Sequence, residues 1–399
     1  MKILLVNTVA VGGSIPSYMR AIVDQATKLG HIVAVAKGRR GNMTGVKNIC
    51  IGNRFDTAIH GLATRLFDRH GLAGRRATLA FIKEIEAFAP DIIHLHNIHG
   101  YYLHYPTLFS WLATCGIPVL WSLHDSWAYT GHCACSAFKS VCDKWQTHCG
   151  KCPLLRQYPA SFFDRSSANF DDKQRCFTSV PNLRLLPVSD WLSAQLSKSF
   201  LADIPRTTIR LDIDTTTYRP VCQPVANRVL GVANMWNDMK GLDFFRKLRN
   251  KLPGEIEIRL IGNIRGRVPE GINSIGPISS IERLIKEYSE ATLFVNPTRA
   301  DSLNLANREA IACGTPVISR DIFGTFEGIE TENPAMRGAR TDDELSYLIT
   351  DFLKTTTPGE LRTQCRETAL ALYGSSPGMR KLFDIYSTVT NVNSKIFGR

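Results

Sequence analysis

The chain has 399 residues, 44% of them hydrophobic, which is enough for two ordinary domains with separate cores and excludes a disordered or low-complexity protein. Its net charge of +12 favours anionic partners, whether nucleotide phosphates, anionic lipid or nucleic acid. No stretch is apolar enough to span a bilayer, and the first residues run straight into a core-like strand, so a cytoplasmic protein without a cleavable signal is expected.

In chain order, residues 2–7 (KILLVN) read as a buried parallel strand, and 11–14 as a loop into a helix with Tyr18, Ile22, Ala26 and Leu29 on one face. Gly30 stops that helix and 31–37 forms the next strand. This is a Rossmann-like opening without the full G-x-G-x-x-G pattern, which argues against a nicotinamide cofactor. Gly12 and Gly13 would let backbone approach a ligand closely, although a plain tight turn makes the same demand. Residues 54–76 interleave Phe55, Ile59, Leu62, Leu66 and Phe67 with Arg65, Arg69, Arg75 and Arg76. That pattern suits either a basic amphipathic element at an anionic membrane or an ordinary helix with solvated arginines.

All ten histidines fall between His31 and His148, so histidine chemistry belongs to the first half. Residues 91–97 (DIIHLHN) form a strand whose alternation puts His94 and His96 on one face, with Asn97 and His99 beyond its end and better placed to touch a ligand. Residues 118–125 form another strand, ending in His124. Eleven cysteines without a secretory segment point to reduced thiols. Five of them crowd an insertion at 131–153. Cys149-Gly-Lys-Cys152 has zinc-knuckle spacing, and Cys133 or Cys135 with Cys142 would complete four ligands. The readings are a structural zinc on Cys133, Cys142, Cys149 and Cys152, free thiols, or a reversible disulfide.

Residues 185–190 lead into a helix capped by Ser189 or Asp190. A second series of strands opens at 228–234, followed by Lys240-Gly241-Leu242, and 257–263 is a strand ending in Asn263. Residues 292–298 read as a buried strand closed by Asn296-Pro297. A polar loop with Asp301 and Ser302 follows, then a helix over 304–313, Gly314 as its stop, and a strand from Pro316. In an open α/β sheet the crevice beyond the strands' carboxyl ends binds ligands, and a helix N-terminus suits phosphate. Helices are expected over 343–354, 360–373 and 379–392.

Asp301-x7-Glu309 followed by ACGTPV resembles the E-x7-E signature of family-4 retaining glycosyltransferases, with Asp in place of the usual first Glu. The insertion, the HDSW stretch at 124–127 and YPASFFD at 158–164 resemble bacterial glycosyltransferases of polysaccharide biosynthesis of the colanic-acid type. The resemblance implies an α/β fold of the GT-B kind, two Rossmann-like domains facing across a cleft. It divides the chain into an acceptor domain (1–205), a donor domain (206–375) and a C-terminal helix crossing back (376–399). It also implies transfer of a sugar from a nucleoside-diphosphate donor to a glycan or lipid-linked acceptor, with no metal needed for catalysis and no nucleic acid as partner.

By that resemblance His124, Asp301 and Glu309 form the catalytic set. His124 lies at the reacting carbon, Asp301 at the sugar hydroxyls and Glu309 at the ribose. Gly12, Gly13, Lys240, Asn263, Pro277, Ser302, Leu303 and Asn304 would border the donor, Lys240 neutralising its diphosphate, and Asn97 and His99 the acceptor. Met235 stands where the family has a companion arginine, and Ser302-Leu303-Asn304 replaces its glycine-rich tail. Two other readings of the same architecture are an enzyme that epimerises or phosphorolyses its sugar substrate, and a degenerate module that only binds. The location expected is cytoplasmic, with peripheral contact at the inner face of the membrane.

Overall fold

The computed structural model describes residues 1–39, 41–135, 142–264, 266–327 and 333–397, without the side chains of 392–397. The chain divides into two compact units, Met1–Arg210 with Met379–Arg399, and Leu211–Gly378.

The first unit contains β1 (Lys2–Asn7), α1 (Ser14–Lys28), β2 (Ile32–Lys37), β3 (Lys47–Cys50), α2 (Arg54–Phe67), α3 (Arg75–Phe88), β4 (Ile92–Leu95), α4 (Tyr105–Leu112), β5 (Val119–Leu123), α5 (Ser166–Phe177), β6 (Leu183–Pro187) and α6 (Asp190–Leu196). Its six strands are parallel in the order β3-β2-β1-β4-β5-β6. Ile3 to Val6 are wholly buried, as a strand covered on both faces by helices must be.

The second unit contains β7 (Arg228–Trp236), α7 (Leu242–Lys251), β8 (Glu257–Ile264), β9 (Ile272–Gly276), α8 (Ile281–Glu290), β10 (Leu293–Asn296), α9 (Leu305–Ala312), β11 (Val317–Arg320), β12 (Met336–Ala339), α10 (Asp342–Thr355) and α11 (Arg362–Tyr373). The order β12-β11-β10-β7-β8-β9 repeats the topology of the first sheet. Alternation sorts the side chains into two cores. Val229, Leu293 and Ile318 pack with α7 and α10, whereas Leu230, Phe294 and Val317 pack with α8, α9 and α11. Each sheet reverses its strand order once, between β1 and β4 and between β7 and β10. These are the points where an open α/β sheet leaves a crevice at its carboxyl edge.

The last helix, α12 (Pro377–Phe397), begins at the end of the second unit and continues in the first. Leu382, Phe383 and Tyr386 are buried, Phe383 stacks on His31 at 6.2 Å, and the Tyr386 hydroxyl lies 2.7 Å from His94 Nδ1. Among the described residues no helix is long and apolar enough to cross a membrane.

Candidate active site

In the second unit the loops leaving β7 and β10 meet at the strand-order reversal. Gly241 caps α7 in the left-handed region (φ 78°), and a Cβ there would lie 2.6 Å from Pro297 Cγ, so only glycine lets the two loops touch. The backbone N–H of Arg299 donates to the Met239 carbonyl (2.8 Å), and its guanidinium donates to the Asp238 carbonyl (2.6 Å) and to both carboxylate oxygens of Asp243 (2.6 and 2.8 Å). This stitching sets Lys240 Nζ 2.8 Å from Asp301 Oδ2, with both side chains about a quarter exposed. The Leu303 N–H turns back onto Asp301 Oδ1 (3.3 Å), and Ser302 lies between them. Asn304 is the N-cap of α9 but makes no side-chain capping bond, so the amides of the first turn keep their capacity for an anion. Asn296 Nδ2 donates to Asn307 Oδ1 (2.7 Å, buried) and fixes α9 to the end of β10.

Glu309, on the second turn of α9, accepts from the Tyr288 hydroxyl at 2.8 Å. Burial pushes its carboxyl up to about 7, while hydrogen bonds from Tyr288 and Tyr218 pull the other way. Asn263 is exposed near the end of β8 and reaches the Asn234 carbonyl (3.3 Å), and Pro277 is exposed just after β9. Met235 is 42% exposed at the end of β7. Sequence reasoning missed Arg299, Tyr288 and Tyr218. The one hint was position, an arginine just after the strand's closing proline.

In the first unit Gly12 and Gly13 both have positive φ (78° and 87°) and open space where a Cβ would stand. Backbone conformation, not crowding, therefore calls for glycine. At the end of β4 the Asn97 N–H donates to Asn7 Oδ1 (3.2 Å), tying β4 to β1, and the Asn97 carbonyl accepts from Thr8 and Tyr102. His99 is nearly buried, with Nε2 2.8 Å from Asp125 Oδ2 and Nδ1 3.2 Å from the Tyr158 hydroxyl. His124, half-buried at the end of β5, stacks on His96, its Nε2 3.2 Å from His96 Nδ1. Burial brings His124 down to about 4, with His99 adding and Asp125 opposing, so the imidazole is neutral at physiological pH.

The segment 54–76 is not one amphipathic element. It forms α2, a break and the start of α3, and α2 is inverted: His60 and Thr64 are its buried residues, while Phe55 is 72% and Leu62 59% exposed. Phe67 stacks on Phe163, itself 64% exposed, and Arg65 lies over the Phe162 ring at 4.3 Å. Cys133, Cys142, Cys149 and Cys152 line one small cavity. Among the described residues no three His, Cys, Asp or Glu side chains are already gathered as a metal-holding group.

Residues 226–354 match the family model described as glycosyl transferases group 1. WcaC of Escherichia coli (strain K12), named for a colanic acid biosynthesis glycosyl transferase, is 24% identical over 246 residues. That match covers 58% of this chain and 60% of WcaC. Sucrose-phosphate synthase from Thermosynechococcus elongatus has the same fold, with a TM-score of 0.70 at 15% identity over 98% of this chain and 99% of that one. HepE of Anabaena, solved in complex with UDP, superposes with a TM-score of 0.65 at 13% identity over 97% and 100%. By sequence the second unit matches the group 1 glycosyl transferases, and by structure the chain has the α/β two-domain fold of the GT-B glycosyltransferases.

Proposed function

We propose that the protein is a retaining glycosyltransferase that moves a sugar from a nucleoside diphosphate to a glycan or lipid-linked acceptor of surface polysaccharide, without a metal ion in the catalytic step. The observation that carries this is the Lys240–Asp301 pair, held 2.8 Å apart at the strand-order reversal ahead of the N-terminus of α9. A donor diphosphate takes the Lys240 ammonium from Asp301, and the freed carboxylate receives sugar hydroxyls. As the glycosidic bond breaks, negative charge builds on the departing diphosphate, where Lys240 and the first amides of α9 offset it. Asn263, Pro277 and the 302–304 turn border the nucleotide, and Glu309 accepts from the ribose. Neutral His124 hydrogen-bonds the sugar at its reacting carbon, and Gly12 and Gly13 leave backbone open to the donor. Asn97 and His99 serve the acceptor. Attack comes from the face the leaving group departs, so no protein nucleophile is assigned.

The UDP complex of HepE and the name of WcaC support this choice of donor and pathway. A peripheral contact with anionic lipid at the inner face of the membrane is part of the reading. It rests on the inverted α2, whose exposed aromatics stand beside exposed Arg65 and Arg69. A thermal-shift panel of nucleoside diphosphates and their sugars tests the donor, since a cognate ligand raises stability by mass action. Incubation of the stabilising donor alone, with free phosphate, or with polyprenyl-linked acceptors then separates epimerase, phosphorylase and transferase. A stabilising donor that yields product only with acceptor is the expected result. Turnover without acceptor, or stabilisation by no nucleotide at all, overturns the assignment.

A further inference from the structure

The insertion after β5 contains chemistry that sugar transfer does not use. Cys133, Cys142, Cys149 and Cys152 all face one small cavity, which Cys135 does not line. The Cys149–Cys152 turn is built as a knuckle. Lys151 is left-handed (φ 46°), and the Lys144 ammonium donates to the Gly150 and Lys151 carbonyls (2.9 and 3.1 Å), closing the turn from outside. The Gly131 N–H points at Cys149 Sγ (3.2 Å), a donor placed for a thiolate. Trp145 packs on Tyr129 and donates its indole N–H to the Cys142 carbonyl (2.8 Å), anchoring that cysteine.

His132 and Ser166 also line this cavity. Nearby lies Lys173, 1% exposed, whose ammonium donates to the carbonyls of Trp127 (2.6 Å) and Thr130 (2.9 Å), the latter a lining residue, and sits 3.7 Å over the Trp127 ring. Asp68, the largest carboxylate influence on Lys173, has one oxygen committed to His132 Nδ1 (2.6 Å) and the other to the Arg165 N–H. Burial lowers the Lys173 ammonium to about 7, and an anion close by would hold it charged.

The geometry points to a structural zinc ion held by Cys133, Cys142, Cys149 and Cys152, with Lys173 as the counter-charge of the tetrathiolate. Binding converts four thiols and Zn²⁺ into a cluster of charge −2, releasing four protons to solvent, and the Lys173 ammonium halves that charge. A dication would draw the sulfurs to about 2.3 Å from one point. Four protein ligands leave no open position, so the ion staples the insertion and does no chemistry.

The test uses the full chain purified in reducing, chelator-free buffer. Elemental analysis should give close to one zinc per chain, and cobalt added to stripped protein should produce the intense thiolate-to-metal absorption of a tetrahedral site. Cys149→Ser should lose at least tenfold in zinc content, while Cys115→Ser, outside the insertion, keeps the full equivalent. Lys173→Met should bind one zinc with at least tenfold weaker affinity against a competing chelator, and Lys173→Arg should recover most of it. Wild-type protein with neither zinc nor a cobalt–thiolate band, or with a disulfide between two of the four cysteines as purified, overturns the site. Unchanged affinity in Lys173→Met overturns the counter-charge.

Discussion

Glu309→Gln gives a quantitative check on the buried carboxyl of α9. The amide keeps the shape and still accepts from Tyr288, so what changes is the ability to ionise. The folded carboxyl titrates at about 7 against a reference of 4.5, because burial penalises the charged form. A raised folded value favours the protonated state. Its contribution is therefore fully present below pH 4.5, declines as pH rises, and is lost once pH passes about 7. The whole displacement corresponds to roughly 3 kcal/mol at 1.36 kcal/mol per unit, and about 2–3 kcal/mol of it falls between pH 5 and 8. For a unit of this size that equals a midpoint difference of about 5–10 °C. Urea or thermal unfolding of both proteins at pH 5, 6, 7 and 8 should show Glu309→Gln drawing ahead of wild type as pH rises, with the gap smallest at pH 5. A difference that stays flat across this range would refute the buried-carboxyl reasoning.

Tyr386→Phe removes the hydroxyl partner of His94 Nδ1 and leaves a buried ring nitrogen unpaired, so it should destabilise the first unit by about 1–3 kcal/mol, read from the urea midpoint. Arg299→Ala breaks the bidentate bond to Asp243 and frees the two loops beneath Lys240. It should cost about 1–3 kcal/mol in stability and weaken binding of the cognate nucleoside diphosphate, measured by calorimetry. Replacing Phe55, Phe67 and Phe163 together with Ser should lower flotation with anionic liposomes while leaving the unfolding midpoint within a few degrees, because all three rings are exposed. Unchanged flotation would remove the membrane contact.

The parallel sheets were readable because most of their strands are continuous apolar runs bounded by turn residues, as in KILLVN. The edge strands β3 and β12 were not: KNIC and MRGA have no such run, and Asn48, Arg337 and Gly338 are incompletely buried. Helix ends moved by one to five residues, and Leu29 proved to lie just past α1, half exposed. The Asp301 and Glu309 spacing was legible, and so was Lys240, since a strand, a glycine and a helix start fix their positions locally. The tyrosines above Glu309 and the Arg299 stitching were not, because those contacts span 21 to 91 residues and depend on how helices pack. Residues 54–76 suited either a basic amphipathic element at a membrane or an ordinary helix with solvated arginines. Only the structure shows that Phe55 and Leu62 face outward while His60 and Thr64 face inward, since periodicity identifies a stripe but not which side is covered.

The central claim is that the Lys240 ammonium neutralises a departing diphosphate, and Lys240→Ala tests it most directly. Two unit charges about 4 Å apart at an effective dielectric of 20 interact by roughly 4 kcal/mol. The part of this realised only as the bond breaks should lower turnover by about 10²- to 10³-fold. The partly exposed pair with Asp301 contributes only about 0–1 kcal/mol to folding. Release of nucleoside diphosphate from the stabilising donor, followed in the presence of acceptor, should therefore fall at least a hundredfold in the variant while its unfolding midpoint stays within a few degrees of wild type. Turnover within threefold of wild type would contradict the account.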